Sequence, residues 1–292
     1  MTKAGLPVDE FAPRLSFFFV SQRDFFEEVA KFRALRRVYA KLLKERFGAT
    51  RPESMRLRFH TQTAAMTLTK SQYKINPMRT ALQALAAVFG GAQSMHTNGL
   101  DEAFTIPTEE AMKLAIRTQQ IIAEETNVTS VVDPLGGSYF VETLTSQIED
   151  EIVKVLRRVD EMGGTIKALE DGWFQRQMAD SAYDLELKKA DGDYVLIGVN
   201  KYVEEDNKVD IETHPFDEET GRRQLERLRR VKAQRDGAKV ARLFGKLTEI
   251  ARDDRQNIVP ITVELVKARA TLGEICDALR AIWGTYREIP VI

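Results

Sequence analysis

Apolar residues in the first half of the chain follow two alternating periods. Pro13–Val20 (PRLSFFFV) is a compact apolar and aromatic run that predicts a strand. From Phe25 to Phe47, the residues Phe25, Val29, Phe32, Leu35, Tyr39, Leu42 and Phe47 line one helical face. Ser21 and Asp24 have capping-box spacing before that helix, and Gly48 stops it. Leu57–Thr63 (LRFHTQT) predicts a second strand, and Ala92–Asn98 (AQSMHTN) a third. Between them a helix starts at Asn76-Pro77, a cap with a first-turn proline, and ends at Gly90-Gly91. Another helix runs from near Pro107 to about Glu125.

Strand and helix alternating three times is the pattern of βα units on a parallel sheet. Three units are too few for a closed (β/α)8 barrel, which needs eight strands. The pattern changes at the Pro/Gly turn Val131–Tyr139. Residues 1–130 are therefore expected as one α/β region and 131–292 as a mainly helical one. In the second region a helix is expected over Val141–Met162, with short helices to about Lys189. Tyr194–Val203 reads as β-like, and the following DNKVDIETH as extended. Asp217–Arg255 reads as a solvated helical hairpin, and two more helices end the chain.

The strands carry more polar residues than a helix-covered parallel sheet should. Residues two apart share a face, so Arg14, Ser16 and Phe18 group together, as do His60 with Gln62, and Ser94 with His96 and Asn98. Buried polar groups need partners, which either a polar ligand or cross-strand hydrogen bonds would supply. His60 is a candidate general acid or donor to a carbonyl, or else a satisfied core histidine. Asn98 and Glu102 flank a strand-to-helix loop, where Glu102 could accept from sugar hydroxyls.

Composition narrows the classes. The 43 Lys+Arg nearly balance 44 Asp+Glu, which gives no reason to expect nucleic acid or an anionic membrane as partner. One cysteine, Cys276, excludes an internal disulfide framework and a multi-cysteine metal site. No run approaches the ~20 apolar residues of a membrane span, and the first residues do not read as a signal peptide, so the expected compartment is the cytoplasm.

Longer motifs are more specific. DEFAPRLSFFF (Asp9–Phe19), RFHTQT with its TLT continuation (Arg58–Thr69) and RTALQALAAVFGGAQSMHTNGLDEAFTIPT (Arg79–Thr108) closely resemble the adenosylcobalamin-dependent acyl-CoA mutases of the methylmalonyl-CoA mutase type. DPLGGSYFVE (Asp133–Glu142), EMGG (Glu161–Gly164), IGVNKY (Ile197–Tyr202) and TLGEICDALRAIWG (Thr271–Gly284) extend the resemblance in order along essentially the whole chain.

The resemblance implies a partial (β/α)8 barrel, its last three strands, followed by the helical region. It implies an isomerase subunit that rearranges the carbon skeleton of an acyl-CoA by radical chemistry, with methylmalonyl-CoA to succinyl-CoA as the leading reaction. The alternatives are an isobutyryl-CoA or 2-hydroxyisobutyryl-CoA type mutase, or a non-catalytic binding or assembly module derived from the barrel. The cofactor would be adenosylcobalamin, shared with a partner chain, because the Asp-x-His-x-x-Gly cobalt-ligand motif does not occur here. A chain carrying the first five strands and a cobalamin-binding subunit are the implied partners. Position by position, the resemblance puts Arg14, Ser16, Phe18, Gln62 and Gln93 on the acyl-CoA, His60 in a catalytic place, and Asn98, Glu102 and Ala103 toward the cofactor. It departs from the methylmalonyl type at Ala64-Ala65-Met66, where Ser-Gly-Trp is usual, and at Gly99, where Ser is usual.

Overall fold

The computed structural model describes residues 1–2, 5–205, 210–215 and 217–287. Contacts divide them into two units, one ending at His214 and one beginning at Pro215.

The first unit opens with a single helical turn, α1 (Val8–Phe11), and a 3-10 turn over Ala12–Arg14. Then follow β1 (Phe17–Ser21), α2 (Phe25–Glu45), β2 (Phe59–Thr63), α3 (Asn76–Phe89), β3 (Ser94–His96) and α4 (Glu109–Glu125). The strands form one parallel sheet in the order β1-β2-β3. Phe18, His60 and Ser94 lie side by side in register, as do Val20, Gln62 and His96.

Local chemistry sets the boundaries. Pro13 and the 3-10 turn delay β1 to Phe17, and Ser21 belongs to the strand. The cap of α2 is Asp24 alone, whose carboxylate accepts from the Glu27 amide. Ser21 instead donates to the Gln83 carbonyl on α3. Asn76 opens α3 from a buried position, accepting from the Thr69 amide and donating to the Thr69 carbonyl. Thr108 caps α4.

One face of the sheet is dry. Phe59, Thr61 and Thr63 are buried there, and Phe32 of α2 stacks on Phe59 with ring centres 5.0 Å apart. Burying rings of this size contributes roughly 1.5–3 kcal/mol each. Among the described residues no helix lies over the opposite face, and Phe18 on it is 61% exposed.

Three helices follow: α5 (Tyr139–Glu161), α6 (Thr165–Glu170) and α7 (Trp173–Asp191). A row of ion pairs ties α5 to α2: Arg33 to Glu142 at 2.6 Å, Arg37 and Lys41 to Glu149, and Arg46 to Asp160 at 2.7 Å. Arg33 also grips both carboxylate oxygens of Asp133 at 3.1 Å, which fixes the Pro/Gly turn before α5.

The β-like run expected over Tyr194–Val203 is not a strand. Its one bridge, Ile197 to Lys201, closes a local turn. Gly198 has φ 81°, and the Asn200 side chain takes the place of a ladder by accepting from the Leu196 amide and donating to the Tyr194 carbonyl. Of the extended stretch expected next, residues 206–209 lie outside the described residues, and 210–214 hold no regular structure.

The second unit is α8 (Glu218–Gln234), α9 (Gly237–Ala251), α10 (Val259–Lys267) and α11 (Leu272–Trp283). In the expected solvated hairpin only the first arm fits, since α8 buries no residue. Its partner α9 supplies Val240, Leu243 and Leu247 to a core shared with Ile261, Leu265 and Ile275. Thr271 and Glu274 form a capping box on α11, and Arg235 holds Glu274 through two bonds of 2.6 and 2.7 Å. Among the described residues no helix is long and apolar enough to cross a membrane.

Candidate functional site

The uncovered face of the sheet gathers most of the polar residues singled out in the sequence. Alternation turns Phe18 and Val20 of β1, His60 and Gln62 of β2, and Ser94 and His96 of β3 to this side. The face is divided along its length. The β1 row is apolar and exposed, while the β2 and β3 rows are polar and half-buried or exposed.

At the N-terminal ends of the strands lies a cleft of ≈ 850 Å³. Ser16, Phe18, His60 and Gln93 all line it, so four of the expected site residues converge. The His60 ring lies 4.9 Å from the Phe18 ring, centre to centre, tilted by 38°. Its Nδ1 is 2.7 Å from the Ser94 hydroxyl. Gln93 turns its side chain onto the backbone, accepting from the Phe59 amide at 2.8 Å and donating to the Gly91 carbonyl. Arg14 does not line the cleft; it is an exposed guanidinium at the end of the 3-10 turn.

The C-terminal ends of the strands hold a second group. Gln62 donates through Nε2 to Oδ1 of Asn98 at 2.8 Å, and Asn98 donates through Nδ2 to the Thr63 carbonyl at 2.8 Å. The Asn98 amide in turn donates to the Thr63 hydroxyl. Asn98 is thus buried and engaged at both side-chain atoms, and it pins the turn that follows β3. Glu102 and Ala103 lie in that turn, half-buried, and the Glu102 carboxylate has no hydrogen bond or ion pair among the described residues. A free carboxylate on a pinned turn fits a group presenting hydroxyls, such as the ribose of an adenosyl cofactor. Asn98 fits the role of anchor better than that of ligand.

Three side chains near the site, Arg56, Arg58 and Gln83, were not singled out from the sequence, and a fourth, Ser94, was grouped with His96 and Asn98 but not paired with His60. Ser94 positions the His60 ring. Arg56 and Arg58 line the cleft, and Arg58 donates to the Pro13 carbonyl at 2.6 Å. Their alternation just before β2 was the available signal. Gln83 sits on α3, and nothing in its helical spacing marks it. Its Oε1 accepts from the Ala64 amide at 2.8 Å and its Nε2 donates to the Thr67 hydroxyl at 2.6 Å. Among the described residues no group of three or more His, Cys, Asp or Glu is placed to hold a metal ion.

Comparison with known proteins adds the following. A family profile described as methylmalonyl-CoA mutase matches residues 1–285. The chain is 63% identical over 291 residues to the 2-hydroxyisobutanoyl-CoA mutase large subunit of Aquincola tertiaricarbonis, covering 100% of this chain and 52% of that one. It is 41% identical over 286 residues to the mitochondrial methylmalonyl-CoA mutase of Homo sapiens, covering 98% of this chain and 38% of that one. With the methylmalonyl-CoA mutase of Rhizobium meliloti it shares 39% over 289 residues, covering 99% and 40%. The chain therefore spans about half the length, or less, of these curated relatives.

Proposed function

The chain belongs to the methylmalonyl-CoA mutase family, and from that premise we propose that it is part of the catalytic subunit of an adenosylcobalamin-dependent acyl-CoA mutase. The observation that carries this reading is the uncovered sheet face, where Phe18, His60 and Ser94 stand in one row above a cleft. A parallel sheet normally has both faces covered. Here the bare face is the wall of a (β/α)8 bore, completed by a chain that carries the other five strands. An interface of that kind buries more than ~2,000 Å².

The acyl-CoA lies along this wall, with Arg14, Ser16 and Phe18 toward its CoA portion and Gln62 and Gln93 beside the thioester path. The Ser94 hydroxyl lies 2.7 Å from Nδ1 of His60; in the tautomer proposed here it donates to that nitrogen, and the ring proton on Nε2 hydrogen-bonds the acyl carbonyl. Glu102 accepts from ribose hydroxyls on the opposite, C-terminal side, with Ala103 beside it and Asn98 holding the turn. Adenosylcobalamin, when bound, supplies the radical chemistry, and a cobalamin-binding subunit supplies the cobalt ligand. Residues of this chain orient the thioester and keep water from the wall. The compartment we propose is the cytoplasm, in keeping with the single cysteine.

Two acyl groups are named among the relatives. The 63% identity to a 2-hydroxyisobutanoyl-CoA mutase large subunit, against 41% to a methylmalonyl-CoA mutase, favours the former. Conversion of methylmalonyl-CoA to succinyl-CoA is the second reading.

The test is reconstitution. The chain is mixed with one carrying the remaining strands and one binding cobalamin, and acyl-CoA isomers are separated by chromatography. Product is expected from the full set and from no subset. Turnover by this chain alone, or none by the full set, overturns the reading.

A further inference from the structure

The segment after α7 is fastened to the loops of the sheet by side chains that reach its backbone. Tyr194–Tyr202 folds around the Asn200 side chain, which accepts from the Leu196 amide and donates to the Lys189 and Tyr194 carbonyls. Just after β1, Arg23 lies over the Tyr194 ring at 3.6 Å and donates to the Val195 carbonyl at 2.6 Å. In the loop after β2, Gln72 donates to the Tyr202 carbonyl at 2.8 Å, and Tyr73 to the Asp210 carbonyl at 2.6 Å. Gln72 has a left-handed φ of 47°, and Gly198 packs so closely on its side chain that a Cβ there would stand at 3.1 Å. Strained backbone of this kind persists only where its surroundings hold it.

Arg79, in the first turn of α3, joins these contacts to the far side of the sheet. Its Nη2 donates to the Ile197 carbonyl at 2.7 Å, while Nη1 donates to the Thr69 hydroxyl at 2.9 Å and to Asn76 Oδ1 at 2.8 Å. Asn76 is fully buried and donates in turn to the Leu100 carbonyl at 3.3 Å. Leu100 belongs to the turn after β3 that carries Glu102. The Tyr73 and Phe104 rings, 5.6 Å apart and edge-on, touch the same turn again. A path of hydrogen bonds therefore runs from the Tyr194–Tyr202 turn through Arg79 and Asn76 to the Glu102 turn. All three acceptors of Arg79 are neutral oxygens, so its contribution is the span of one planar guanidinium rather than charge pairing.

We propose that Arg79 is a positioning residue that couples the Tyr194–Tyr202 turn to the turn after β3, so that the two turns tighten and loosen together. The physical ground is a contiguous chain of bonds between two local elements, each able to open by itself. Tyr194–Tyr202 buries only Gly198, so it opens far more readily than the sheet beneath it. What the Glu102 turn is for rests on the mutase reading; the coupling itself does not, and it names what sets that turn in place.

The experiment is amide hydrogen exchange on the full chain, read by mass spectrometry. The probes are the amides of Glu102, Phe104 and Thr105, which bond to the Gly99 and Asp101 carbonyls. Asn200→Ala unties the distant turn without touching Arg79, Asn76 or Leu100, and it is expected to speed exchange at these probes about three- to tenfold. Arg79→Ala should do the same at both turns. Arg79→Lys keeps the charge, but a single nitrogen cannot span Ile197 and Asn76, so it should match Arg79→Ala. Combining Asn200→Ala with Arg79→Ala should add nothing further at the probes, since the path is already cut. Faster exchange confined to Tyr194–Tyr202 in Asn200→Ala, or wild-type exchange in Arg79→Lys, overturns the coupling. Acceleration spread evenly through β2 and α2 overturns it as well, because Arg79 would then stabilise the unit as a whole. The mutase reading stands or falls separately, by reconstitution.

Discussion

Gln62 and Asn98 share a hydrogen bond of 2.8 Å that joins the middle strand to the turn after β3. The first faces the acyl-CoA side of the proposed site, and the second anchors the turn that carries Glu102. The donor is half-buried and the acceptor buried, so the bond cannot be replaced freely by water. Gln62→Leu is expected to leave Asn98 Oδ1 without its donor and to cost about 1–3 kcal/mol of unfolding free energy. Urea titration followed by circular dichroism measures it. A midpoint equal to wild type counts against the coupling.

His60→Ala should slow turnover while sparing acyl-CoA binding. A donor aimed at developing charge contributes on the order of 2–4 kcal/mol, so roughly 30- to 1,000-fold is expected in kcat. Ser94→Ala, which frees the ring but retains it, should cost less. Single-turnover kinetics in the reconstituted complex separate these effects, and equal turnover in all three proteins would return His60 to a packing role.

Glu102→Ala is expected to weaken adenosylcobalamin and leave CoA affinity alone. Each charged hydrogen bond to a ribose hydroxyl contributes roughly 1.5–3 kcal/mol, which predicts at least about a tenfold weaker cofactor. Separate calorimetric titrations of the two ligands give the comparison. A solvated acid would change neither, and a loss confined to CoA would move Glu102 to the wrong side of the site.

Gly99→Ala should disturb the same turn from within. A Cβ at this position would stand 2.6 Å from Oδ1 of Asp101 and 3.3 Å from the Ala111 side chain. Asp101 is only 1% exposed, and its other oxygen accepts from the Thr108 amide and hydroxyl at the start of α4. Displacing it costs about 1–3 kcal/mol. The melting temperature should fall by several degrees, and an unshifted transition would mean that Asp101 moves aside without loss.

Acid should loosen α5 from α2. The Arg33 guanidinium, with help from the Gly137 amide, lowers the Glu142 carboxyl from 4.5 to about 2. Arg46 likewise lowers Asp160. A carboxylate whose pKa is depressed in the folded state stabilises it fully above the unfolded value. That contribution is lost as pH falls through the folded value. Stability should therefore decline between about pH 4.5 and pH 2, and Glu142→Gln should flatten the decline. Denaturation midpoints across that window provide the check. A wild-type slope retained in the variant would assign the acid response to other groups.

Periodicity made the sheet and its main helices legible. The alternation in RFHTQT separates His60 and Gln62 from Phe59, Thr61 and Thr63, and the structure keeps that division. The apolar spacing from Phe25 likewise gave α2 to within two residues of its end. Tyr194–Val203 misled because apolar residues imitate a strand while Gly198 and Asn200 fold them into a turn. Side chains that act across the fold left no periodic trace. Gln83 looks like any polar helix residue, yet it orders a turn sixteen positions earlier in the chain. Ser94 shares its face with His96 in the sequence, but only the register between β2 and β3 brings it to His60.

The ion pairs between α2 and α5 advance in the same direction along both helices, from Arg33 with Glu142 to Arg46 with Asp160. The two helices therefore run parallel, with like ends of their dipoles adjacent, and the opposite-signed side chains offset that alignment. Parallel neighbours require the chain to travel back before the second begins. Everything between them, from β2 through α4, is consequently enclosed in a circuit whose ends are fastened by charge. The peptide links around Val131–Ser138 are then a seam rather than a hinge. A protease cut there should leave the two pieces travelling as one species through gel filtration at low salt, held by the ion pairs and by the buried contact of Val29 with Val141, and strong salt or acid should loosen that association by removing the ionic part.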